Sequence, residues 1–393
     1  MTTTSSGFAA SPALVAAITE LTPSGSVGLD LGTGALTTAN ALAARCRRVY
    51  SLEEHTAFAA QARASAAKHI DVIHSPLASG DYRYRYFGPL DAIVVDGPRG
   101  DHRGGCLAWV ANLREGGYLF IDDSHRPGSA QVIATLRSCG YAEIRQGADG
   151  ARQWTVLRKP TKPAVLIDLM MLSYNRSEYT VMTLESLALV PPGIGWDRVR
   201  FTVIDHASSD DSVAQIGAVI RKRPALIDQF IAADRNRGAS GGTGWFLQEC
   251  APAAPFIGKI DNDSLFTDGW LGKLAAALAA HPTLGVVGAQ EHVGQGQSAP
   301  VVDAAGAGYH PARWVGGRYL ARREVFARSA PGGSGVWGWT DYQLKQVAAG
   351  GWKIGWCAPD TVIEHVGDWQ SRHPRALQND KYASYLRAVR RVR

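Results

Sequence analysis

An α/β architecture of two tandem domains is what the sequence predicts, on three observations. From about Ser26 to Leu157, short apolar runs alternate with Ala-rich stretches. A polar, proline-containing segment, RKPTKP (Arg158 to Pro163), then breaks the pattern. The alternation starts afresh with AVLIDLMMLS and runs on to LGVVGAQ. Strand-helix alternation implies a mostly parallel sheet covered on both faces. A length of 393 residues suits two or three domains, and the expected spans are 1–158 and 159–393.

In the first half, SVGLDLG, RVYSLEE, IDVIHS, LDAIVVDG, GYLFIDD and RQWTVLRK read as strands. ALTTANALAAR and TAFAAQARASAAKH read as helices, being rich in good helix formers. VGLDLGTGALTT (Val27 to Thr38) is a strand, a Gly-x-Gly turn and a helix start. Its glycines allow close backbone approach to a ligand, and the helix N-terminus offers free amides. Glu53 ends the next strand, about 20 residues on, where an acid can hold a ribose diol. DAIVVDGPRG and GYLFIDDS put carboxylates at two further strand ends, Asp96 and then Asp122 with Asp123. Acids converging on one sheet edge can hold Mg²⁺; they equally cap strands and begin turns. His102, Arg103 and His125 are nearby acid-base or anion-binding candidates.

This half resembles the class I S-adenosylmethionine-dependent methyltransferases. LDLGTG corresponds to their first motif, which implies cofactor contacts at Asp30, Gly32 and Gly34, with Glu53 as the ribose-binding acid. The third glycine of that motif is absent, since Ala35 and Leu36 follow Gly34. The three strand-end acids further resemble those of metal-dependent O-methyltransferases, which implies Asp96, Asp122 and Asp123 as metal ligands.

The second half repeats the strand-end pattern. MLSYNRSEYT leaves a strand through polar residues and enters a helix, and FTVIDHASSDDS ends a strand at Asp205 before a Ser/Asp-rich turn suited to capping. DRNRGASGGTGWFL places Asn236 and Gly238 ahead of a Gly-rich helix start. KIDNDSLFTDGWL then ends an apolar strand with Asp261 and Asp263, two residues apart and so facing one way in an extended chain. Such a pair suits a hard cation carrying phosphate oxygens, or a plain Asp-rich turn.

Taken in order, these pieces resemble the GT-A fold of family 2 glycosyltransferases, a nucleotide-diphospho-sugar transferase fold. The resemblance implies a nucleotide-sugar site built from Ser173, Asn175, Arg176, Asp205, Asn236 and Asp261, with Asp263 as ligand to Mn²⁺ or Mg²⁺. SGVWGWTDYQL places Asp341 at a helix start, and the resemblance implies it as the general base, with Trp337 and Trp339 as acceptor-stacking residues. In VIEHVGDW, His365 stands where the family carries a late histidine near the metal, with Glu364 beside it as the alternative. The implied enzyme is bifunctional, an inverting sugar transfer joined to O-methylation of a sugar hydroxyl. Two alternatives stay open, a non-catalytic first domain and a carbohydrate- or nucleotide-binding second domain without turnover. The implied partners are a nucleotide-sugar donor and a glycan, lipid-linked glycan or protein acceptor.

Composition bounds the rest. With 46% hydrophobic and 19% charged residues, the chain has apolar material for two cores. Five scattered cysteines lack CxxC spacing, which points away from zinc and disulfide frameworks and toward a reducing cytoplasm. No leader and no membrane-spanning run is read. Much of the +6 net charge sits in the tail RAVRRVR, a solvated helix end or a peripheral contact with anionic membrane. No aromatic-basic interleaving of a nucleic-acid module is visible.

Overall fold

A computed structural model describes residues 10–78, 81–98, 103–162, 164–250, 252–290, 299–313, 315–328, 347–358 and 364–365. The chain divides into two compact units, Met1–Lys162 with Ile220–Ala225 and Pro163–Val219 with Leu226–Arg393. Both are mixed α/β, as the alternation of apolar runs predicts.

The first unit is built on a seven-stranded sheet. Its strands are β1 (Ser26–Leu31), β2 (Cys46–Glu53), β3 (Ile70–His74), β4 (Leu90–Val95), β5 (Leu113–Ile121), β6 (Ala142–Asp149) and β7 (Arg152–Arg158). Their spatial order is β3-β2-β1-β4-β5-β7-β6. The first five pair in parallel, and β7 runs antiparallel to both β5 and β6. Helices α1 (Pro12–Leu21), α2 (Thr37–Ala43), α3 (Thr56–Ser65) and α4 (Pro127–Ser138) cover the sheet. Both faces are buried, which is why these strands read as continuous apolar runs. Ala92, Val94 and Phe120 enter one core with Leu14 and Leu42. Their neighbours Ile93, Val95, Leu119 and Ile121 enter the other with Trp109 and Leu136.

The second unit holds a nine-stranded sheet. Its elements in chain order include β8 (Ile167–Ser173), α5 (Ser177–Leu189), β9 (Val199–Asp205), α6 (Ser212–Lys222), β10 (Gln229–Ala232), α7 (Gly238–Trp245), β11 (Phe256–Asp261), β12 (Ser264–Leu265), α8 (Trp270–Ala280) and β13 (Leu284–Gly288). There follow β14 (Val301–Val302), β15 (Gly308–Pro311), β16 (Tyr319–Arg322), α9 (Arg323–Arg328), β17 (Lys353–Ala358) and β18 (Glu364–His365). The order is β10-β9-β8-β11-β16-β13-β17-β15-β14, and β12 pairs separately with β18. Strands β10, β9, β8 and β11 are parallel, while β16 is antiparallel to both its neighbours.

The five cysteines form no disulfide. Among the described residues no helix is long and apolar enough to cross a membrane.

Candidate functional site

The winding reverses between β1 and β4 in the first unit and between β8 and β11 in the second. In open parallel sheets a crevice forms outside the carboxyl ends of the strands at such a switch point. The strand-end residues singled out from sequence lie at these two edges.

In the first unit a cavity of about 540 Å³ opens there, within the range of small-molecule sites. Gly32, Gly34, Leu36, Glu53, His55 and Phe58 line it from the β1 and β2 side; Asp96, Arg103, Asp123, Arg126 and Arg152 line it from the ends of β4, β5 and β7. Glu53 ties the first group together. Its two carboxylate oxygens accept the backbone N–H of Gly34 and of His55, each at 3.0 Å.

Asp30 takes a different place from the cofactor contact expected of it. It is fully buried and does not line the cavity. Its carboxylate accepts the hydroxyls of Thr38 and Ser51, each at 2.7 Å, and Ser51 in turn accepts from Thr33 at 2.7 Å. A serine has one proton to give, so this chain has one direction. Asp30 therefore braces the Gly-x-Gly turn from beneath. Burial pushes its carboxyl up to about 7, against the opposing pull of the two hydroxyls. Gly32, which lines the cavity, also meets the neighbouring strand end. Its φ is +104°, and a Cβ there would lie 2.6 Å from the Gly97 nitrogen, so the close approach it permits is to the β4 strand end.

The acids expected as metal ligands, Asp96, Asp122 and Asp123, lie together at the ends of β4 and β5. Asp123, at φ +48°, accepts from Arg126 at 2.8 Å and from Arg103 at 3.4 Å. Arg103 is 2% exposed and also donates to the carbonyls of Val95 (3.2 Å), Asp122 (2.6 Å) and Asp96 (3.2 Å). The guanidinium thus occupies strand-end backbone carbonyls and shares Asp123 with Arg126, while Asp122 Oδ1 is buried without a hydrogen-bond partner. Burial, then the neighbouring Asp122, pushes the Asp96 carboxyl up to about 8. Among the described residues no group of three or more His, Cys, Asp and Glu side chains is placed to hold a metal ion. His125 is exposed, and His102 lies outside the described residues.

In the second unit Ser173, Asp205 and Asp261 each end a parallel strand, with Ser173 paired to Asp205 and Leu172 to Asp261. The loops beyond β8 and β9 are stitched together. The Asn175 N–H donates to the Ser208 hydroxyl at 2.9 Å, and Asn175 Oδ1 accepts the Ser209 N–H at 2.6 Å. Asp205 is fully buried and accepts the N–H and hydroxyl of Ser208, at 2.9 and 2.5 Å. Burial raises its carboxyl above the ordinary range. It shapes the loop from within, as Asp30 does in the first unit. Asn236 is exposed and accepts the Gly238 N–H at 2.7 Å, at the entry to α7.

The Asp-Asn-Asp turn is docked on α5 by a row of hydroxyls that the sequence reading missed. Thr180, Thr183 and Ser186 stand three apart on that helix, one face of adjacent turns. Thr180 accepts Asn262 Nδ2, Thr183 accepts the Ser264 N–H and Ser186 accepts the Phe266 N–H, each at 2.9 Å. All three hydroxyl residues are buried. Asp263, 4% exposed, pairs with Arg176 at 2.8 Å, and Arg176 lies 4.2 Å over the Tyr179 ring. Asp261 pairs with Lys259 and, at 3.5 Å, with Arg318. Gly317 packs on the Asp261 carboxylate so closely that no Cβ fits. The backbone of His365 is paired with Ser264, one residue past Asp263. Asp341, Trp337 and Trp339 lie outside the described residues.

Comparison with known proteins bears on the second unit. Residues 168–312 match the family model Glycosyl transferase family 2. All of the matched residues except Ile220–Ala225 lie within the second unit. Among solved structures, the mannosyltransferase PcManGT from Pyrobaculum calidifontis, in complex with GDP-Man and Mn²⁺, aligns at 17% identity and TM-score 0.43, over 66% of this chain and 72% of its own. GalNAc-T7 with UDP, GalNAc and Mn²⁺ aligns at 14% identity and TM-score 0.41, over 55% of this chain and 46% of its own. The N-methyltransferase NodS from Bradyrhizobium japonicum WM9, with S-adenosyl-L-homocysteine, aligns at 18% identity and TM-score 0.31, over 38% of this chain and 85% of its own. No curated protein sequence matches the chain.

Proposed function

We propose that the second unit transfers a sugar from a nucleotide-sugar donor to an acceptor hydroxyl with inversion, and that the first binds S-adenosylmethionine and methylates a sugar hydroxyl. One observation carries the transferase half: the strand ends at Ser173, Asp205 and Asp261 converge at the switch point, with Asp263 fixed beside them on the hydroxyl row of α5. The residues 168–312 that match the family model contain all of these positions.

Asp263 suits a hard divalent ion, being an oxygen donor held at a strand end and already drawing a cation, the Arg176 guanidinium. Asp263, with His365 as a second contact, would hold Mn²⁺ or Mg²⁺, which would supply Lewis-acid stabilisation of a departing nucleoside diphosphate. The chain's own residues do the rest. Arg176 directs positive charge at the leaving group. The stitched Asn175 and Asp205 loops shape the nucleoside pocket, Asp261 orients the ribose, and Asn236 sets the next loop. Asp341 takes the acceptor proton as general base, and Trp337 and Trp339 stack on the acceptor. The acceptor is a glycan, lipid-linked glycan or protein.

For the first unit, the 540 Å³ cavity and Glu53 fit the adenosine diol of S-adenosylmethionine. The cofactor supplies an electrophilic methyl group; Glu53 holds the ribose and the Gly32 to Gly34 turn closes over it.

The experiment is a thermal-shift screen of UDP-, GDP- and dTDP-sugars with and without Mn²⁺, followed by assay of nucleoside diphosphate release. One donor is expected to raise the melting temperature, and Asp263→Ala is expected to cut its release by about 100-fold. Equal release by Asp263→Ala would remove the transferase reading. Calorimetry with S-adenosylhomocysteine tests the first unit separately, with Glu53→Ala expected to weaken binding about tenfold.

A further inference from the structure

Resting on the nucleotide-sugar reading of the second unit, we propose that His206 is a positioning residue for the donor: its neutral imidazole latches Asn236 and α7 to the end of β9, and protonation releases them. His206 directly follows Asp205 in IDHASSDDS and has no part in the site as described above.

Three features argue for it. The first is placement. The His206 N–H donates to the Ser173 carbonyl at 2.9 Å, which fixes its backbone where β8 and β9 end. Ala207 follows at φ +59° and begins the turn that Ser208 closes onto Asp205. The His206 side chain is left inside the unit, in a residue only 3% exposed.

The second feature is contact. The ring lies so close to Gly242 of α7 that a Cβ there would stand 2.3 Å from its Cε1 and 2.6 Å from its Nε2. The imidazole fills the room a side chain on α7 would need. Its Nδ1 is the nitrogen left for the side-chain hydrogen bond with Asn236. Asn236 Oδ1 in turn accepts the Gly238 N–H at 2.7 Å, where α7 begins. One imidazole therefore joins the β9 end, the Asn236 loop and the body of α7.

The third is protonation state. Nε2 is buried and has no hydrogen-bond partner. With the ring proton on Nδ1, a neutral imidazole leaves only a lone pair there, whereas imidazolium would bury a second N–H with no acceptor. A stranded buried donor is costly. The charged groups around the ring do not relieve it. Arg237, at the entry to α7, repels a second positive charge. The Asp205 carboxylate is occupied by the N–H and hydroxyl of Ser208. Leu172 of β8 and Gly242, packed on the ring, bring no charge. Burial lowers the imidazole from its ordinary range; the Asn236 bond opposes that shift and Arg237 adds to it. The sign follows: the latch is intact above the ordinary histidine range and is lost as pH falls through the lowered folded-state value.

The test is calorimetry of UDP, GDP and dTDP, each with Mn²⁺, on the full chain between pH 7.5 and pH 5.0. His206→Asn is the conservative variant, because its amide N–H takes the place of Nδ1–H and does not titrate. His206→Leu fills the space without a donor. Titration of the diphosphate is common to all three proteins, so the ratio of affinities at each pH is read. The nucleoside diphosphate that binds the parent at pH 7.5 should bind His206→Asn within about threefold and His206→Leu about tenfold more weakly. Toward pH 5.0 the parent should lose at least about threefold more affinity than His206→Asn. Parallel pH profiles of the parent and His206→Asn would overturn the proposal and leave the nucleotide-sugar reading standing. Full affinity in His206→Leu would do the same. If circular dichroism shows His206→Leu unfolded, the parent and His206→Asn profiles decide alone. If none of the three diphosphates binds the parent, the nucleotide-sugar reading fails and the proposal falls with it.

Discussion

Replacing Asp30 by Asn separates a buried brace from a cofactor contact. The Asp30 carboxyl is fully buried and sits at about 7 instead of its ordinary 3.8. Between those two values the folded chain holds a proton that the unfolded chain has released. Stability contributed by this group is therefore present at low pH and is lost as pH rises through that window, levelling off above about 7. Between pH 5 and pH 8 the loss is on the order of 2–3 kcal/mol. Asn is nearly isosteric, can still accept from one of Thr38 and Ser51, and does not titrate. The variant should gain stability relative to the parent as pH rises, by about that amount across the interval. Urea unfolding at pH 5, 6, 7 and 8 of both proteins measures it, and taking the difference cancels groups that do not feel Asp30, such as Asp205. Parallel pH profiles would refute the reasoning, because they would mean Asp30 titrates alike in the folded and unfolded chain.

Three further perturbations address the second unit. Thr183→Val keeps the shape of a fully buried residue but strands the Ser264 N–H; a cost of about 1–3 kcal/mol is expected, read as a lowered melting transition. Gly317→Ala drives a methyl into the Asp261 carboxylate, so circular dichroism should show a retained fold while the thermal shift on adding the nucleotide-sugar donor is lost. Arg176→Gln removes the guanidinium from Asp263; Mn²⁺ titration should show tighter ion binding by about tenfold, with weaker donor binding, since a charged hydrogen bond no longer competes for the carboxylate.

The legible parts of the fold are those where both sheet faces are buried. LDAIVVDG and GYLFIDD read as strands because alternate residues enter two different cores and their central positions are apolar. The edge strand β6, AEIRQGAD, did not, since most of its residues face solvent and its sequence resembles a polar loop. The two-residue β12 and β18 carry no pattern at all, and only their pairing defines them. In the sites, the carboxylates could be found because acids at the ends of apolar runs are conspicuous. Their partners could not. Arg103, Arg176 and Arg318 meet Asp123, Asp263 and Asp261 from 20, 87 and 57 positions away. Nothing in local periodicity relates such pairs; the crossover of the sheet does. The α5 hydroxyl row was readable in principle, as three Ser/Thr residues at helical spacing, but mid-helix hydroxyls carry no message until the segment they receive is known.

That invisibility of partners changes what an Asp-Asn-Asp turn means. Read by itself, it is two negative charges awaiting a cation. In the folded unit the described ion pairs set three cations, Arg176, Lys259 and Arg318, against these two carboxylates. Arg318 is 1% and Lys259 4% exposed, so their charge is little screened by solvent. Burying cations beside acids is costly unless the pairing is good. An ion reaching Asp263 has to displace the Arg176 guanidinium from it, so the strength of that pair sets how firmly any divalent ion would be held there.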